Sequence, residues 1–283
     1  MKTIILYSFR NYIDSAINFN FFLKNTLPFL SNSVNLVVAY DQDALIDISS
    51  NSQNIKYIKT PLSFDLNDFA FLLNNIDYKS YNNFIFLNSS CIGPILPSYV
   101  QDNWINLIVK QLSEKTKLIG PVIEVPPDDL GTKSLKKFSY INKTDTEVPF
   151  VHTYFFATDY IGVNILFEYG AFINENANKD KLVCHLERLI SACILNENYN
   201  IKSFLKKQEN ISWLDKTNWN YRLWSPTQKT CPEVNSNYFN TNIDPYEVMF
   251  FKNIRHPNKF RNANDSGIPD YHIKYLNNIF LQK

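Results

Sequence analysis

The stretch FIFLNSSCIGP, residues 84–94, carries an apolar run into three neutral polar residues, Asn88, Ser89 and Ser90, ahead of Gly93-Pro94. A buried strand that empties into small polar residues is where open α/β proteins build ligand sites. An amide and two hydroxyls can hydrogen-bond a sugar or a diphosphate. They are poor primary ligands for Mg2+ or Mn2+, which favour carboxylates and water. Alone, the segment reads equally as a polar turn. Asp65 and Asp68 follow the third apolar run, where a carboxylate can accept from a ribose hydroxyl or a base N–H, or simply cap a helix. His152 and Asp159 bracket HTYFFATD. The imidazole can contact an acceptor or phosphate or serve as a structural histidine, and Asp159 is well placed to cap the next helix. Glu187 sits in VCHLERLISACIL, one residue off an apolar stripe of Leu182, Leu186, Leu189 and Cys193, with Ser191 at i+4 on its own face. A half-buried carboxylate there can be raised in pKa and act as a general base. The alternative is a solvated glutamate paired with Lys181 or Arg188.

The elements that must position these groups alternate. TIILYSF, VNLVVAYD and NNFIFLNSS read as strands buried on both faces, and NIKYIKT as a weaker one. NYIDSAINFNFFLKNTL places Ile13, Ile17 and Phe21 at helical spacing and predicts an amphipathic helix before Pro28. SFDLNDFAFLLNNI predicts a second helix, with Ser63 or Asp65 as cap, and NWINLIVKQLSEK a third with Trp104, Ile105, Ile108 and Leu112 on one face. KLIGPVIEV is a further strand. PPDDLGTKSLKK is a polar loop, PFVHTYFFATD a strand, and YIGVNILFEYG a short helix closed by Gly170. The long helical pattern around Glu187, the strand IKSFL, a loop-rich region at 208–243, PYEVMFFKNI as strand or short helix, and a terminal helix at 267–282 complete the chain. This order argues for an α/β fold with a mostly parallel central sheet, helices on both faces and an elaborated C-terminal half.

Composition excludes several classes. The chain has 283 residues, 28 basic against 27 acidic, for a formal net charge of +1, so nothing directs it to nucleic acid or an anionic surface. Cys91, Cys184, Cys193 and Cys231 form no C-x-x-C pair, and reduced thiols in a cytosolic protein are the simplest reading. The N-terminus reads as a first strand with no signal-peptide pattern, and no stretch approaches the roughly 20 apolar residues that span a bilayer. With six glycines, no glycine-rich phosphate loop is present, and G-x-S-x-G and H-E-x-x-H are absent.

Seven segments, taken in order from about residue 4 to 255, resemble a group of bacterial and viral glycosyltransferases of GT-A-like (Rossmann-type) fold, related to those that build surface polysaccharide. NFNFFLKNTL is similar to their N-L-x-F-F-L segment, and Asp68-Phe69-Ala70 falls in the counterpart of F-D-F-G-A-W. FIFLNSSCIGPILP resembles F-x-F-L-N-S-S-x-R-G-P-F-L-P, KLIGPVI resembles K-L-V-G-x-x-I, and VHTYFFATD resembles H-V-Q-S-x-x-F-A-T-D. HLERLISACILNENYNI resembles E-x-x-L-S-x-x-I-L-x-x-G-Y-N-I, and DPYEVMFFKNIR the closing P-Y-E-V-x-F-x-K.

The resemblance implies transfer of a sugar from a nucleotide-sugar donor to a saccharide or lipid-linked acceptor, with inversion, in glycan or polysaccharide biosynthesis. It implies Asp68 by the nucleotide, Asn88, Ser89 and Ser90 where metal-binding aspartates usually stand, His152 facing the reaction centre, and Glu187 as general base. Asp65 and Asp159 complete the substrate-binding set. Ile92 stands where the group has Arg, which removes a cation from the diphosphate, and Lys252 or Arg255 is the candidate replacement. Thr153 stands in place of Gln, and Asn198 in place of a Gly, whose left-handed conformation Asn tolerates. Mn2+ or Mg2+ is compatible with such a site but is not expected to be essential. The expectation is one domain over 1–283, with a nucleotide-binding half at 1–125 and an acceptor and catalytic half at 126–283, cytoplasmic or peripheral at a membrane. The alternative is a catalytically silent nucleotide- or sugar-binding protein on the same scaffold. A sugar-nucleotide nucleotidyltransferase is disfavoured, since no Gly- and Arg/Lys-rich triphosphate loop follows the first strand.

Overall fold

A computed structural model describes residues 1–11, 14–41, 53–61, 64–125, 148–172, 186–220, 231–233, 238–239 and 243–252. Strands β1 (Thr3–Phe9), β2 (Val34–Tyr40), β3 (Ile55–Lys59), β4 (Asn83–Asn88), β6 (Thr116–Gly120), β9 (Phe155–Asp159) and β10 (Asn200–Ser203) build one sheet, in the order β10-β6-β9-β4-β1-β2-β3. β1, β2, β3 and β4 are parallel, as are β6 and β10; β9 alone runs against its neighbours β4 and β6. Two short ribbons sit apart: β5 (Cys91–Ile92) with β11 (Phe251–Lys252), and β7 (Ile123–Glu124) with β8 (Phe150–Val151). Strands from both halves of the chain therefore share the central sheet.

The apolar runs read as doubly buried strands do bury both faces. Ile4, Leu6, Phe84 and Phe86 belong to one core cluster, with residues of the helices α2 (Asp65–Asn74), α4 (Tyr160–Glu168) and α5 (Glu187–Asn196). Ile5, Tyr7, Ile85 and Leu87 point the other way, toward α1 (Ser15–Thr26) and α3 (Trp104–Val109). Successive side chains alternate across a strand, so one run feeds both layers. Phe86 and Phe156 stack across the β4–β9 pair with ring centres 4.4 Å apart.

Several expectations change. The buried face of α1 is Ser15, Asn18, Phe19, Phe22 and Thr26, while Ile17 is 44% exposed. Phe19 and Phe22 pack on Tyr7, and the Asn18 amide donates to the Ser89 carbonyl at 2.9 Å. Two large rings and a buried hydrogen bond outweigh one aliphatic stripe. α2 is capped by Phe64 with no side-chain bond, and Asp65 is its first helical residue. α3 is shorter than its pattern, starting at an Asn103 cap and ending before Leu112. KLIGPVIEV is broken at Pro121 into β6 and β7, and PFVHTYFFATD is broken at His152–Tyr154 into β8 and β9. PYEVMFFKNI is both alternatives at once, the short helix α6 (Pro245–Val248) and then β11. Asn198 adopts φ 61° and Gly170 φ 68°, the left-handed conformations expected of them. Ile13, Ser63, Leu182, Cys184, Lys181, Arg255, the loop at 126–137 and the terminal pattern at 267–282 lie outside the described residues.

Candidate functional site

The parallel strands β1, β2 and β4 end on one edge, and most of the singled-out residues gather there in two clusters. The first is closed on itself. Asp68, from α2, is fully buried; its carboxylate meets the Arg10 guanidinium at 2.5 Å and accepts from the Ser8 hydroxyl at 2.5 Å. Arg10 also faces Asp41 at 3.6 Å. Burial raises the Asp68 carboxyl to about 6, against the lowering pull of Arg10 and of hydrogen bonds from Ser8 and Thr60. Ser89 is buried beside it: its hydroxyl donates to the Arg10 carbonyl at 3.0 Å and accepts the Arg10 N–H at 2.9 Å. Asp68 and Ser89, expected at the nucleotide and the sugar, are thus spent on joining β1, β4 and α2. Both side chains find partners inside the protein.

The second cluster is open. Asn88, the last residue of β4, donates from its amide to Asp65 and accepts from the Ser90 N–H at 3.0 Å and the Ser90 hydroxyl at 2.5 Å. Asp65, Asn88 and Ser90 form a polar rail along the edge. β11 pairs antiparallel with β5, setting Lys252 opposite Cys91, three residues past Asn88, and Phe251 opposite Ile92. That ribbon is tight around Gly93: a Cβ there would lie 2.3 Å from the Phe250 ring and 2.6 Å from the Met249 carbonyl, so only glycine fits. Lys252 is thus carried on the strand paired with the one that holds Ile92.

Glu187 opens α5 on the same edge. The helix is anchored by the Ser191 hydroxyl, which accepts the Val151 N–H at 2.8 Å. Burial raises the Glu187 carboxyl and Asp65 adds to the rise; Lys252, His152 and a hydrogen bond from Thr153 pull the other way. Lys252 and Asp65 thus act on the Glu187 carboxyl in opposite directions. Thr153, where the resembling group has Gln, is the residue that hydrogen-bonds Glu187.

His152 lies between β8 and β9, at the end where β9 begins. Its Nε2 meets Glu124 at 2.9 Å and its Nδ1 meets Glu233 at 3.0 Å, and Glu233 also accepts from the Tyr154 hydroxyl at 2.7 Å. Burial alone would lower this imidazole, but Glu233, Cys231 and Glu124 outweigh it and raise it well above the ordinary value. Both ring nitrogens are thus engaged by carboxylates of the protein.

Asp159 requires a correction. It ends β9, which runs antiparallel, so it lies opposite Asn83 at the start of β4. Five residues of strand, about 17 Å, separate it from the Asn88 edge. There it caps α4 by accepting the Gly162 N–H at 2.9 Å and pairs with Lys117 at 2.6 Å. Sequence reasoning missed Arg10, Thr153, Glu124, Cys231 and Glu233 as members of this edge. Glu124, a carboxylate ending a predicted strand, carried a usable signal; Cys231 and Glu233, in a region without periodicity, carried none. A cavity of 330 Å³ lined by Phe21, Lys24, Phe29, Pro94, Trp104 and Tyr246 is separate, with none of Asp65, Asn88, Ser90, Glu187 or Lys252 in its wall. No helix among the described residues is long and apolar enough to cross a membrane.

No protein-family model matches the chain, and no curated protein matches it. Among solved structures it is similar to the mannosyltransferase PcManGT from Pyrobaculum calidifontis in complex with GDP-Man and Mn2+, at 10% sequence identity and a TM-score of 0.42. The match covers 71% of this chain and 54% of that one, so the chain spans about half the length of the structure it matches.

Proposed function

We propose that the chain is an inverting glycosyltransferase, moving a sugar from a nucleotide-sugar donor to a hydroxyl of a saccharide or lipid-linked acceptor in glycan or polysaccharide biosynthesis. The observation that carries this reading is a half-buried Glu187 whose carboxyl is raised by burial and feels the charges of Lys252 and of Asp65, which is itself hydrogen-bonded into the Asn88–Ser90 rail. A carboxylate raised by burial is a base matched to a hydroxyl proton. An ammonium on the neighbouring ribbon can balance charge growing on a departing diphosphate.

In this scheme the donor lies along the rail, its sugar hydroxyls bonded by Asp65 and Ser90 and its diphosphate against Lys252. Glu187 takes the proton of the acceptor hydroxyl as that oxygen bonds to the anomeric carbon. The bond from that carbon to the phosphate oxygen breaks, and the electron pair leaves with the nucleoside diphosphate. Attack from the side opposite the leaving group inverts the anomeric centre. Arg10, Asp68 and Ser89 hold the edge in shape and touch no substrate, and His152 takes no proton from the acceptor. The nucleotide half is 1–125, and 126–283 supplies the base, the acceptor contacts and, through Lys252, a cation for the diphosphate. With Lys252 at the diphosphate, Mn2+ or Mg2+ is not essential.

The test is turnover of UDP-, GDP- and dTDP-linked sugars by the full chain, with the product anomer read by NMR. An inverted product whose formation is lost in Glu187→Gln supports the scheme. A retained anomer, or full turnover in Glu187→Gln, defeats it; activity lost in EDTA and restored by Mn2+ but not Zn2+ removes Lys252 from its role. A second reading, a silent nucleotide- or sugar-binding protein, is favoured by one observation: both ends of the Asn88 amide are already engaged, with no carboxylate at Asn88, Ser89 or Ser90 to hold a metal. Calorimetric binding of a donor without transfer or hydrolysis would select it.

A further inference from the structure

Beside Glu187 lies a set of ligating groups that the transfer scheme leaves unused. Glu124 ends β7, His152 sits between β8 and β9, and Cys231 comes from the segment 231–233. One carboxylate oxygen, one ring nitrogen and Sγ from these three residues all lie within 4.8 Å of one another. Bonds of about 2.0–2.3 Å around a tetrahedral zinc place its donors roughly 3.5 Å apart. The three atoms thus need to close by little more than an ångström at most, while the Nε2 to Glu124 contact of 2.9 Å opens slightly.

The surroundings supply an independent observation. The other ring nitrogen, Nδ1, meets Glu233 at 3.0 Å, and the second oxygen of that carboxylate accepts from Tyr154 at 2.7 Å. A histidine that binds metal through one nitrogen almost always donates from the other to a carboxylate, which fixes the tautomer and the ring plane. Here that carboxylate is present and is itself pinned.

We infer that Glu124, His152 Nε2 and Cys231 Sγ form a Zn2+ site, with Glu233 as the positioning residue for the imidazole. Thiolate, imidazole and carboxylate together suit zinc and disfavour the hard ions Mg2+ and Ca2+. Three protein donors leave a fourth position for water. The ion ties three segments far apart in sequence, β7, the β8–β9 connection and residues 231–233, into one wall next to the base candidate. Its ligands are none of Asn88, Ser89 and Ser90, the positions at which the resemblance would place a metal for the donor diphosphate. The inference does not depend on the transferase reading, and its readouts need no substrate.

The experiment uses the full chain, free of any histidine tag, purified without chelator, with bound metals counted by plasma mass spectrometry. About one zinc per chain is expected. Stripping it with dipicolinate should lower Tm, and micromolar Zn2+ but not Mg2+ should restore it. Cys231→Ser and His152→Asn should lose the metal while keeping the far-ultraviolet dichroism of the parent. Cobalt-loaded wild type should show a thiolate-to-cobalt charge-transfer band, which decides the matter even if a variant fails to fold. A wild-type chain holding less than about a tenth of an equivalent after excess zinc and desalting overturns the proposal. So do variants that keep the wild-type zinc content, or cobalt-loaded wild type without the thiolate band.

Discussion

Two polar clusters share the sheet's carboxyl edge, built from the same helix, the same strand end and similar residue types, and they do opposite work. Arg10, Asp68, Ser8 and Ser89 turn inward and bond one another across β1, β4 and α2. In the other cluster Asp65, Glu187 and Lys252 are half-buried, and Asn88 and Ser90, though buried, keep 8% and 7% exposure. Asp65 and Asp68 are less than one helical turn apart, yet the first faces the rim and the second the sheet. In the sealed cluster every charge has a partner near 2.5 Å, so it supplies stability and shape. In the open one, burial raises the Glu187 carboxyl against the lowering pull of Lys252, and in our proposal this is the group that meets a substrate. Residue type does not separate the two; the direction of the side chain does.

The contrast can be broken experimentally, beginning with the largest effect. Glu187→Gln should lower kcat by about 10²–10⁴ with Tm unchanged, as expected for loss of a general base. Because Glu187 is raised from its ordinary 4.5, and must be ionised to accept a proton, kcat should fall as pH drops through a midpoint above that value. A wild-type profile flat down to the ordinary glutamate range would remove Glu187 as base. Asp68→Ala strips a buried guanidinium of its nearest partner and should cost about 3–5 kcal/mol in denaturant unfolding at pH 7.5. A loss confined to activity, with stability intact, would move Asp68 into the substrate site.

Lys252→Met should reduce kcat about 10- to 100-fold, less than a dedicated oxyanion-hole donor, and more for donors with poorer leaving groups. An equal effect on all donors would argue for a packing role. The finest comparison pairs two adjacent serines. Ser89→Ala orphans a buried Arg10 N–H and should cost about 1–3 kcal/mol with KM unaffected. Ser90→Ala should raise KM for the donor a few-fold and change stability by less than Ser89→Ala. The reverse pattern would show that the sealed and open clusters have been assigned the wrong way round.

The strands were legible because a parallel sheet covered on both faces demands continuous apolar runs, and TIILYSF and NFIFLN supply them. Interruptions were harder to see: Pro121 and the His152–Tyr154 break divide segments that periodicity reads as continuous. The α1 face was misread because Ile17 and Phe21 match the helical period as well as Phe19 and Phe22 do. Only contact with Tyr7 and Ser89 breaks that tie. At the site, Asn88 and Glu187 could be picked out from a strand end and a helix flank. Thr153, Glu233 and Cys231 could not, since each matters through a partner distant in the chain.

The sequence by itself determined the layers, the edge on which β1, β2 and β4 end, and the residue types available there, because these follow from local periodicity and turn chemistry. The tertiary structure decided which carboxylates remain available. Asp159 was carried to the far edge by the reversal of β9, Asp68 was paired with Arg10, and the Glu187 carboxyl was raised by burial. The physical reason is that strand direction and ion pairing are settled by contacts between segments tens to hundreds of residues apart. No pattern of neighbouring residues encodes them.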